Sequence, residues 1–214
     1  ESSGPLLPAK GDIEIPAFNS PGTTTTGWPA GISARDFLDT SSQEFATADQ
    51  FMKLSEGEVI RVFFKFPASP VRTGLMGIGS SNIGKTAGDQ WVIQYFDTSG
   101  GVLVLYVRNG ADDDRATVDL GNIAADISGS VLRAEVEHVG TGLRLVAHVG
   151  TTLLIDGETT AGVNANVGAN RNSRIGRAGQ TFWTGSIMGL AKFSRPLTAS
   201  ERTADLTPRL WADL

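Results

Sequence analysis

The chain has 214 residues, of which 40% are hydrophobic, and it carries 26 glycines, 9 prolines and no cysteine. The absence of cysteine excludes disulfides, thiolate metal sites and a cysteine nucleophile. The net charge of −5 comes without a basic run, which argues against nucleic-acid binding, and no apolar stretch is long enough for a membrane span. This size and composition are typical of one all-β domain with many tight turns.

The N-terminal residues 1–11 contain prolines and no periodic pattern, which predicts an extended arm ahead of a domain that covers residues 12–214. Two roles stay open for this arm: a free terminus, or a segment that docks on a second copy of the chain or on virion subunits. Directly after it, Ile13 and Ile15 alternate with charged residues and indicate a first short strand.

Alternation of apolar and polar residues predicts most of the remaining strands. Residues 58–66 form a strand whose wholly apolar side faces the core; its members are Ile60, Val62, Phe64 and Phe66. Phe45, Phe51 and Leu54 are expected to supply further core anchors. The other predicted strands are residues 74–80, 90–96, 102–108, 131–138, 143–149 and 152–155.

The clearest hairpin joins residues 131–138 to residues 143–149 through a Gly-Thr turn. In this register Glu137 lies opposite Arg144, an attractive cross-strand pair that is worth about 0.2–1 kcal/mol. One face of the hairpin is then apolar and the other charged, which predicts one buried face and one solvated face.

The C-terminal tail, residues 182–206, reads as one long strand, a proline corner and a short helix that begins with a Thr-x-x-Glu capping box. Uninterrupted alternation along this strand predicts that Ile187 and Phe193 lie on one side. It predicts that Met188 and Leu190 lie on the other.

The tail combines an aromatic residue, a Gly, a hydrophobic strand, a second aromatic residue and a Leu-Thr-x-x-Glu helix start. These positions are Phe182, Gly185, Ile187, Phe193, Leu197, Thr198 and Glu201. The pattern resembles the C-terminal signature of the concanavalin A-like lectin/glucanase superfamily, in its laminin-G-like branch. The resemblance implies an all-β fold, an antiparallel two-sheet jelly-roll sandwich with one short C-terminal helix.

The superfamily includes glycoside hydrolases, which carry an acid and a nucleophile on one face of a strand. Glu135 and Glu137 share a face and are the nearest match, but the remaining acidic residues of that motif are missing. Arg133, Arg144 and His148 neighbour them, and a salt-bridged surface is the competing interpretation. The chain is therefore expected not to be an enzyme, with a divergent glycoside hydrolase or polysaccharide lyase as the alternative.

A metal site is predicted from Asp112, Asp113 and Asp114, three carboxylates in an expected loop. Ca²⁺ binds several oxygen ligands, and the resemblance implies rim calcium sites in related domains. The alternative is a solvated turn, since Asp favours turns through local hydrogen bonds.

Aromatic residues supply a first candidate ligand site. Trp91 and Tyr95 share a strand face, and Tyr106 and Arg108 alternate on the partner strand of the same predicted hairpin. Such rings stack on the apolar faces of sugars, and polar neighbours fix the hydroxyl groups. The alternative is that the rings pack in the core of the sandwich.

Arginines supply a second candidate ligand site, in the stretch that contains Arg171, Arg174 and Arg177. Paired hydrogen bonds from guanidinium groups suit an acidic glycan or a carboxylate of a partner protein. Alternation sends Arg174 outward and Ile175 inward, and charge that guards an exposed strand edge is the alternative.

The resemblance implies a lectin-like binding or adhesion module that recognises a glycan or a surface protein. Such a module would be extracellular, on a cell surface or in a phage virion. A purely structural assembly subunit, without a small ligand, is the third hypothesis.

Overall fold

The computed structural model of the chain describes residues 17–18, 22–24, 34–37, 43–47, 50–66, 73–79, 90–96, 101–109, 112–119, 129–159, 172–178 and 181–204. The predicted arm and the predicted strand at Ile13 and Ile15 lie outside these residues. Strands dominate the described part of the chain, and one short helix follows them.

The strands, in chain order, are β1 (Ala17–Phe18), β2 (Gly22–Thr24), β3 (Ala34–Phe37), β4 (Glu44–Thr47), β5 (Val59–Lys65), β6 (Thr73–Gly79), β7 (Trp91–Phe96), β8 (Val102–Asn109), β9 (Asp112–Asp119), β10 (Val131–Val139), β11 (Gly142–Val149), β12 (Thr152–Glu158), β13 (Asn172–Ile175), β14 (Arg177–Ala178), β15 (Thr181–Phe182) and β16 (Gly185–Phe193). The helix is α1 (Ala199–Ala204).

Two antiparallel sheets of seven strands pack face to face. The first sheet has the order β1-β4-β13-β6-β7-β8-β9, and the second has the order β12-β11-β10-β5-β16-β3-β2. The short hairpin β14–β15 lies against β6 and covers part of the outer face of the first sheet. The all-β, two-sheet antiparallel sandwich predicted from the sequence is confirmed. Among the described residues, no helix has the length and hydropathy that a membrane crossing requires.

The core lies between the two sheets and contains the predicted apolar side of residues 58–66. Phe64 is fully buried and Phe66 is 2% exposed, and both rings pack against the ring of Trp183 with centroid distances of 5.5 Å and 5.1 Å. Phe45 and Leu54 are buried as expected. Burying one such large side chain contributes roughly 1.5–3 kcal/mol.

The β10–β11 hairpin has the predicted register, with Glu137 opposite Arg144. The expectation that its charged face is solvated is wrong. Arg133 and Glu135 are 1% and 0% exposed, because α1 packs across the outer face of the second sheet at this point.

A β-bulge at Gly189 changes which side of β16 faces the core. Met188 pairs with Phe63 and Leu190 pairs with Val62, so Gly189 is the extra residue, and its φ of 63° is one that glycine adopts without strain. Leu190 therefore joins Ile187 in contact with the core, whereas Met188 packs in a separate cluster. The predicted uninterrupted alternation is wrong beyond the bulge.

Candidate functional site

Arg174 lies in β13, in the middle of the first sheet. This strand pairs with β4 on one side and with β6 on the other, so the expected exposed edge is wrong. Ile175 points into the core and is 3% exposed, and alternation sends Arg174 to the outer face as predicted. There Arg174 Nη1 donates to Glu44 Oε2 of the neighbouring strand β4 at 2.5 Å.

Gly176 separates β13 from the hairpin β14–β15 and sets the direction of that hairpin. Its φ is 83°, and a Cβ at this position would lie 2.3 Å from a ring carbon of Phe37. Both its backbone conformation and its surroundings therefore require glycine. The hairpin is fixed by Gln94 of β7, whose Nε2 donates to the Ala178 carbonyl at 2.8 Å and to Thr181 Oγ1 at 3.3 Å.

The hairpin brings Arg177 to the same carboxylate that binds Arg174. Arg177 Nη1 donates to Glu44 Oε1 at 3.1 Å. The Arg177 guanidinium carbon also lies 4.6 Å from the ring centroid of Phe182, its cross-strand partner. A cation over an aromatic face is attracted by the ring, so Phe182 orients this guanidinium. We call Glu44, Arg174, Arg177 and Phe182 the arginine site.

Two guanidinium groups of the arginine site, those of Arg174 and Arg177, bind the single carboxylate of Glu44. The Glu44 side chain is 7% exposed, whereas the side chains of Arg174 and Arg177 are 14% and 18% exposed. The arginines thus reach solvent from an anchored position. Guanidinium groups hold carboxylates and sulfates through paired, charge-assisted hydrogen bonds, so an anion is the group that this site suits chemically.

The two aromatic residues predicted as a stacking platform lie in the core. Trp91 and Tyr95 are 1% and 2% exposed, and Trp91 Nε1 donates to the Met52 carbonyl at 3.1 Å. Tyr95 packs against Phe66 with ring centroids 4.7 Å apart. A sugar needs an open ring face for stacking, and the described structure encloses both rings.

The structure describes the remaining predicted site residues only in part. Tyr106 and Arg108 belong to β8, and the side chains of both lie outside the described part of the chain, as does the whole of Arg171. The acidic run 112–114 opens strand β9, so the expected loop at these residues is wrong. The carboxylates of the run are not described, and the calcium site stays a prediction.

Glu135 and Glu137 are held by arginines beneath α1. Glu135 accepts from Arg61 Nε at 2.7 Å and from Arg202 Nη1 at 2.6 Å, and it is fully buried. Arg202 Nη2 donates to Glu137 at 2.7 Å, and Arg144 lies 3.9 Å from the same oxygen. The carboxylates of a glycosidase flank a cleft that admits the substrate, whereas these two are enclosed in ion pairs.

The helix is tied to this face at both ends. At its start, the predicted capping box forms, because the Thr198 amide donates to Glu201 at 2.8 Å and the Glu201 amide donates to Thr198 Oγ1 at 3.2 Å. At its end, Arg61 Nη2 donates to the Glu201 carbonyl at 3.3 Å, and Arg133 donates to the Arg202 carbonyl. These bonds satisfy carbonyls that a helix end leaves free.

Sequence reasoning missed Glu44, Phe182 and Arg202 as members of these two clusters. Glu44 is 130 residues from Arg174, and Arg202 is 67 residues from Glu135, so no local pattern connects them. The tail pattern includes Phe182, but it does not indicate that the ring lies against Arg177.

The fold that carries these clusters is an antiparallel two-sheet β-sandwich. No protein-family model matches the sequence, and no curated protein matches it. Solved structures match in fold. Tailspike protein 2 of the Escherichia coli O157:H7 bacteriophage CAB120 is 12% identical with a TM-score of 0.64; the match covers 84% of this chain and 26% of the tailspike.

Two further structures share the fold. The receptor-binding domain of botulinum neurotoxin mosaic serotype C/D is 7% identical with a TM-score of 0.61, and the match covers 96% of this chain and 49% of that domain. Domain 4 of AbnA, an extracellular arabinanase from Geobacillus stearothermophilus solved with arabinotriose, is 13% identical with a TM-score of 0.51. That match covers 96% of this chain and 86% of domain 4. At these identities the likeness is one of fold.

Proposed function

We propose that the chain is a non-catalytic, lectin-like recognition module of a virion or cell-surface protein, of the concanavalin A-like, laminin-G-like class, and that it binds an acidic glycan. The observation that carries the proposal is the arginine site, where Arg174 and Arg177 converge on one carboxylate beside Phe182. The site reaches solvent on the outer face of the first sheet.

In the binding step the ligand adds to the arginine site and does not displace Glu44. The carboxylate of an acidic sugar accepts hydrogen bonds from Arg174 and Arg177 where their side chains reach solvent, while Glu44 keeps both guanidinium groups in place from below. Phe182 limits the motion of Arg177, so less side-chain freedom is lost when the ligand binds.

The fold supports a recognition role. The tailspike is a phage protein, the neurotoxin domain is a receptor-binding domain, and the arabinanase domain was solved with a bound oligosaccharide. A fold hosts many functions, so these likenesses support the class of module, and the arginine site supports the choice of an acidic ligand.

The enclosed acid pair supports a module without catalysis. Glu135 and Glu137 are 0% and 5% exposed and are bound to arginines, whereas a glycosidase needs one carboxyl free to donate a proton and another free to attack.

A glycan array that contrasts acidic with neutral glycans tests the proposal. We expect retention of acidic glycans, and a loss of at least about tenfold in affinity for Arg174→Gln and for Arg177→Gln, since each removes charged hydrogen bonds. Arg177→Lys keeps the charge but loses the planar fork, so it should recover only part of the affinity.

The matched control is Lys192→Gln, which removes one positive charge on the second sheet, where Lys192 pairs with Glu58. This control should bind as the unaltered chain does. Binding of neutral glycans alone, or equal losses in the control and the arginine variants, would overturn the acidic-glycan proposal. Release of reducing ends from a bound glycan would overturn the assignment as non-catalytic, and binding to a protein alone would favour an assembly role.

A further inference from the structure

We propose that α1 is a pH-sensitive latch: protonation of His148 releases the helix from the outer face of the second sheet and uncovers the charged residues beneath it. The proposal concerns the sheet opposite the arginine site and does not depend on the proposed ligand. We call the connected residues on this face, Arg61, Arg133, Glu135, Glu137, Arg144, His148 and Asp156, the ionic face, and the helix contacts the first four of them.

The contact between His148 and Arg133 requires a neutral imidazole. Arg133 Nη2 lies 2.9 Å from His148 Nδ1, and the two residues are cross-strand partners. A guanidinium group has only donors, so Nδ1 must be the acceptor and the proton of neutral His148 sits on Nε2. A second proton on Nδ1 removes this hydrogen bond and places two cationic donors face to face.

Arg133 transmits this change to the helix. The same guanidinium donates to the Arg202 carbonyl at the end of α1 through Nη1. Arg133 is 1% exposed, so it has little room to move away from a charged imidazole. A charge on His148 therefore acts on a group that holds the helix.

The ion pairs of the ionic face point in the same direction. Among the described residues, ion pairs within 4 Å link the guanidinium groups of Arg61, Arg133, Arg144 and Arg202 to the carboxylates of Glu135, Glu137 and Asp156. A protonated His148 adds a positive charge near Arg133 and Arg202. Departure of α1 removes the Arg202 charge, so the proton replaces the guanidinium that leaves.

The groups around His148 come from four elements. Arg133 and Glu135 face it from β10, Asp156 from β12, Arg202 from α1, and Arg144 lies on its own strand β11. Burial, followed by the charge of Arg133, lowers the pKa of His148 below its ordinary value of 6.5. Arg202 lowers it further, whereas Glu135 and Asp156 raise it. Undocking of α1 removes the charge of Arg202, so the pKa of His148 rises when the helix leaves.

The direction of the pH effect follows from linkage. Well above its ordinary pKa of 6.5, His148 is neutral in both states and docking is at full strength. Because the docked state has the lower pKa, the undocked state takes up the proton first as the pH falls. Docking is therefore lost progressively below the ordinary value, down to the lowered pKa of the docked state.

Hydrogen exchange of the full chain, corrected for the intrinsic exchange rate, tests the latch at about pH 7.5 and about pH 5. The reporter is the Arg202 amide, which donates to the Thr198 carbonyl at 3.0 Å within α1. We expect its protection to fall by about tenfold at the lower pH in the unaltered chain, and to be independent of pH in His148→Gln.

His138→Gln is the matched control, since the chain has 2 histidines and alternation puts His138 on the opposite side of β10 from Glu135 and Glu137. It should keep the pH response of the unaltered chain. Equal protection at both pH values in the unaltered chain would overturn the latch, as would a pH response that persists in His148→Gln.

A second measurement covers the case in which His148→Gln prevents docking at every pH. NMR titration of His148 in the unaltered chain and in Arg202→Gln reports the coupling directly. We expect a higher pKa of His148 in Arg202→Gln, where the ion pairs of the helix are lost. An identical pKa in the two chains would show that the helix does not bias the imidazole, and the proposal would fail.

Discussion

The two faces of strands β5 and β10 are both buried, but different interactions bury them. On the inner face, Phe64 and Val136 pack among the apolar side chains of the core. On the outer face, Arg61 and Glu135 are 4% and 0% exposed and lie under a helix of 6 residues. Apolar burial is non-directional, whereas buried charges offset their desolvation cost only when each has well-placed partners. The inner face thus supplies stability, and the outer face determines where one element sits.

The largest loss of stability is expected for a substitution on the inner face. Phe64→Ala should lower the free energy of unfolding by about 3–5 kcal/mol, through lost transfer free energy and the cavity left between Phe66 and Trp183. Urea denaturation at low and high salt should give the same loss, because no charge is involved. Phe63→Ala, on the outer side of the same strand and only half-buried, is the matched control and should lose less. Equal losses would mean that the two sides of β5 are not distinct.

The second prediction distinguishes the outer face from the inner face by the salt dependence of the loss of stability. Glu135→Gln removes the carboxylate that binds Arg61 and Arg202, and we expect a loss of about 3 kcal/mol because the buried guanidinium groups lose a partner. We expect α1 to undock in this variant and to admit water, so part of this loss should appear as faster hydrogen exchange at Arg202. The difference from the unaltered chain should shrink at about 1 M salt, where charges are screened within about 3 Å.

A salt-independent loss in Glu135→Gln, with α1 still protected from exchange, would contradict this account. It would mean that Glu135 acts through packing, as Phe64 does.

The inner face could be predicted from the sequence because its cause is local. Alternation over residues 58–66 and 131–149 identifies the apolar sides, and the Gly-Thr turn determines the register of the β10–β11 hairpin. The outer face could not be predicted in the same way. Alternation shows which charged residues share the outer face. It does not show that the helix around Arg202, 67 residues beyond Glu135, covers them.

The candidate site shows the same limit. Alternation predicts that Arg174 points outward and that Trp91 and Tyr95 share a side, and the structure agrees on both points. Alternation alone does not show which side of a strand the second sheet encloses. The partner of Arg174 is Glu44, on a strand that is far away in the sequence and becomes adjacent only when the first sheet forms.

A third prediction concerns the bulge at Gly189, which determines which side chains of β16 face the core. Met188 pairs with Phe63 before the bulge and Leu190 pairs with Val62 after it, so Gly189 is the residue at which the alternation changes sides. Gly189→Ala should cost about 1–2 kcal/mol of unfolding free energy, since a side chain disfavours a φ of 63°. Thermal denaturation measures the loss, and two-dimensional NMR would show shifts at both neighbouring residues.

The control for the bulge is Gly157→Ala in β12, where the nearest atom to an added Cβ is 3.8 Å away. This substitution should stay within about 0.5 kcal/mol of the unaltered chain. Similar costs at the two glycines would remove the argument that Gly189 is required by its conformation.

The smallest effect is expected where the ionic face reaches solvent. Asp156 accepts two hydrogen bonds from Arg144, at 2.6 Å each, but its side chain is 39% exposed. Solvent screens this pair, so Asp156→Asn should cost about 0.2–1 kcal/mol, well below the loss for Glu135→Gln. The hydrogen bonds from Arg144 lower the pKa of Asp156 below 3.8, its ordinary value.

The pair therefore contributes fully above pH 3.8 and loses its contribution as the pH falls through the lowered pKa of the folded state. Denaturation of the unaltered chain and of Asp156→Asn across this range should show their difference closing at low pH, and a double-mutant cycle with Arg144→Gln isolates the pair. Asp156 and Glu135 bind the same kind of group on the same face and differ mainly in exposure. A loss at Asp156 as large as that at Glu135 would therefore show that burial is not what makes the ionic face costly to break.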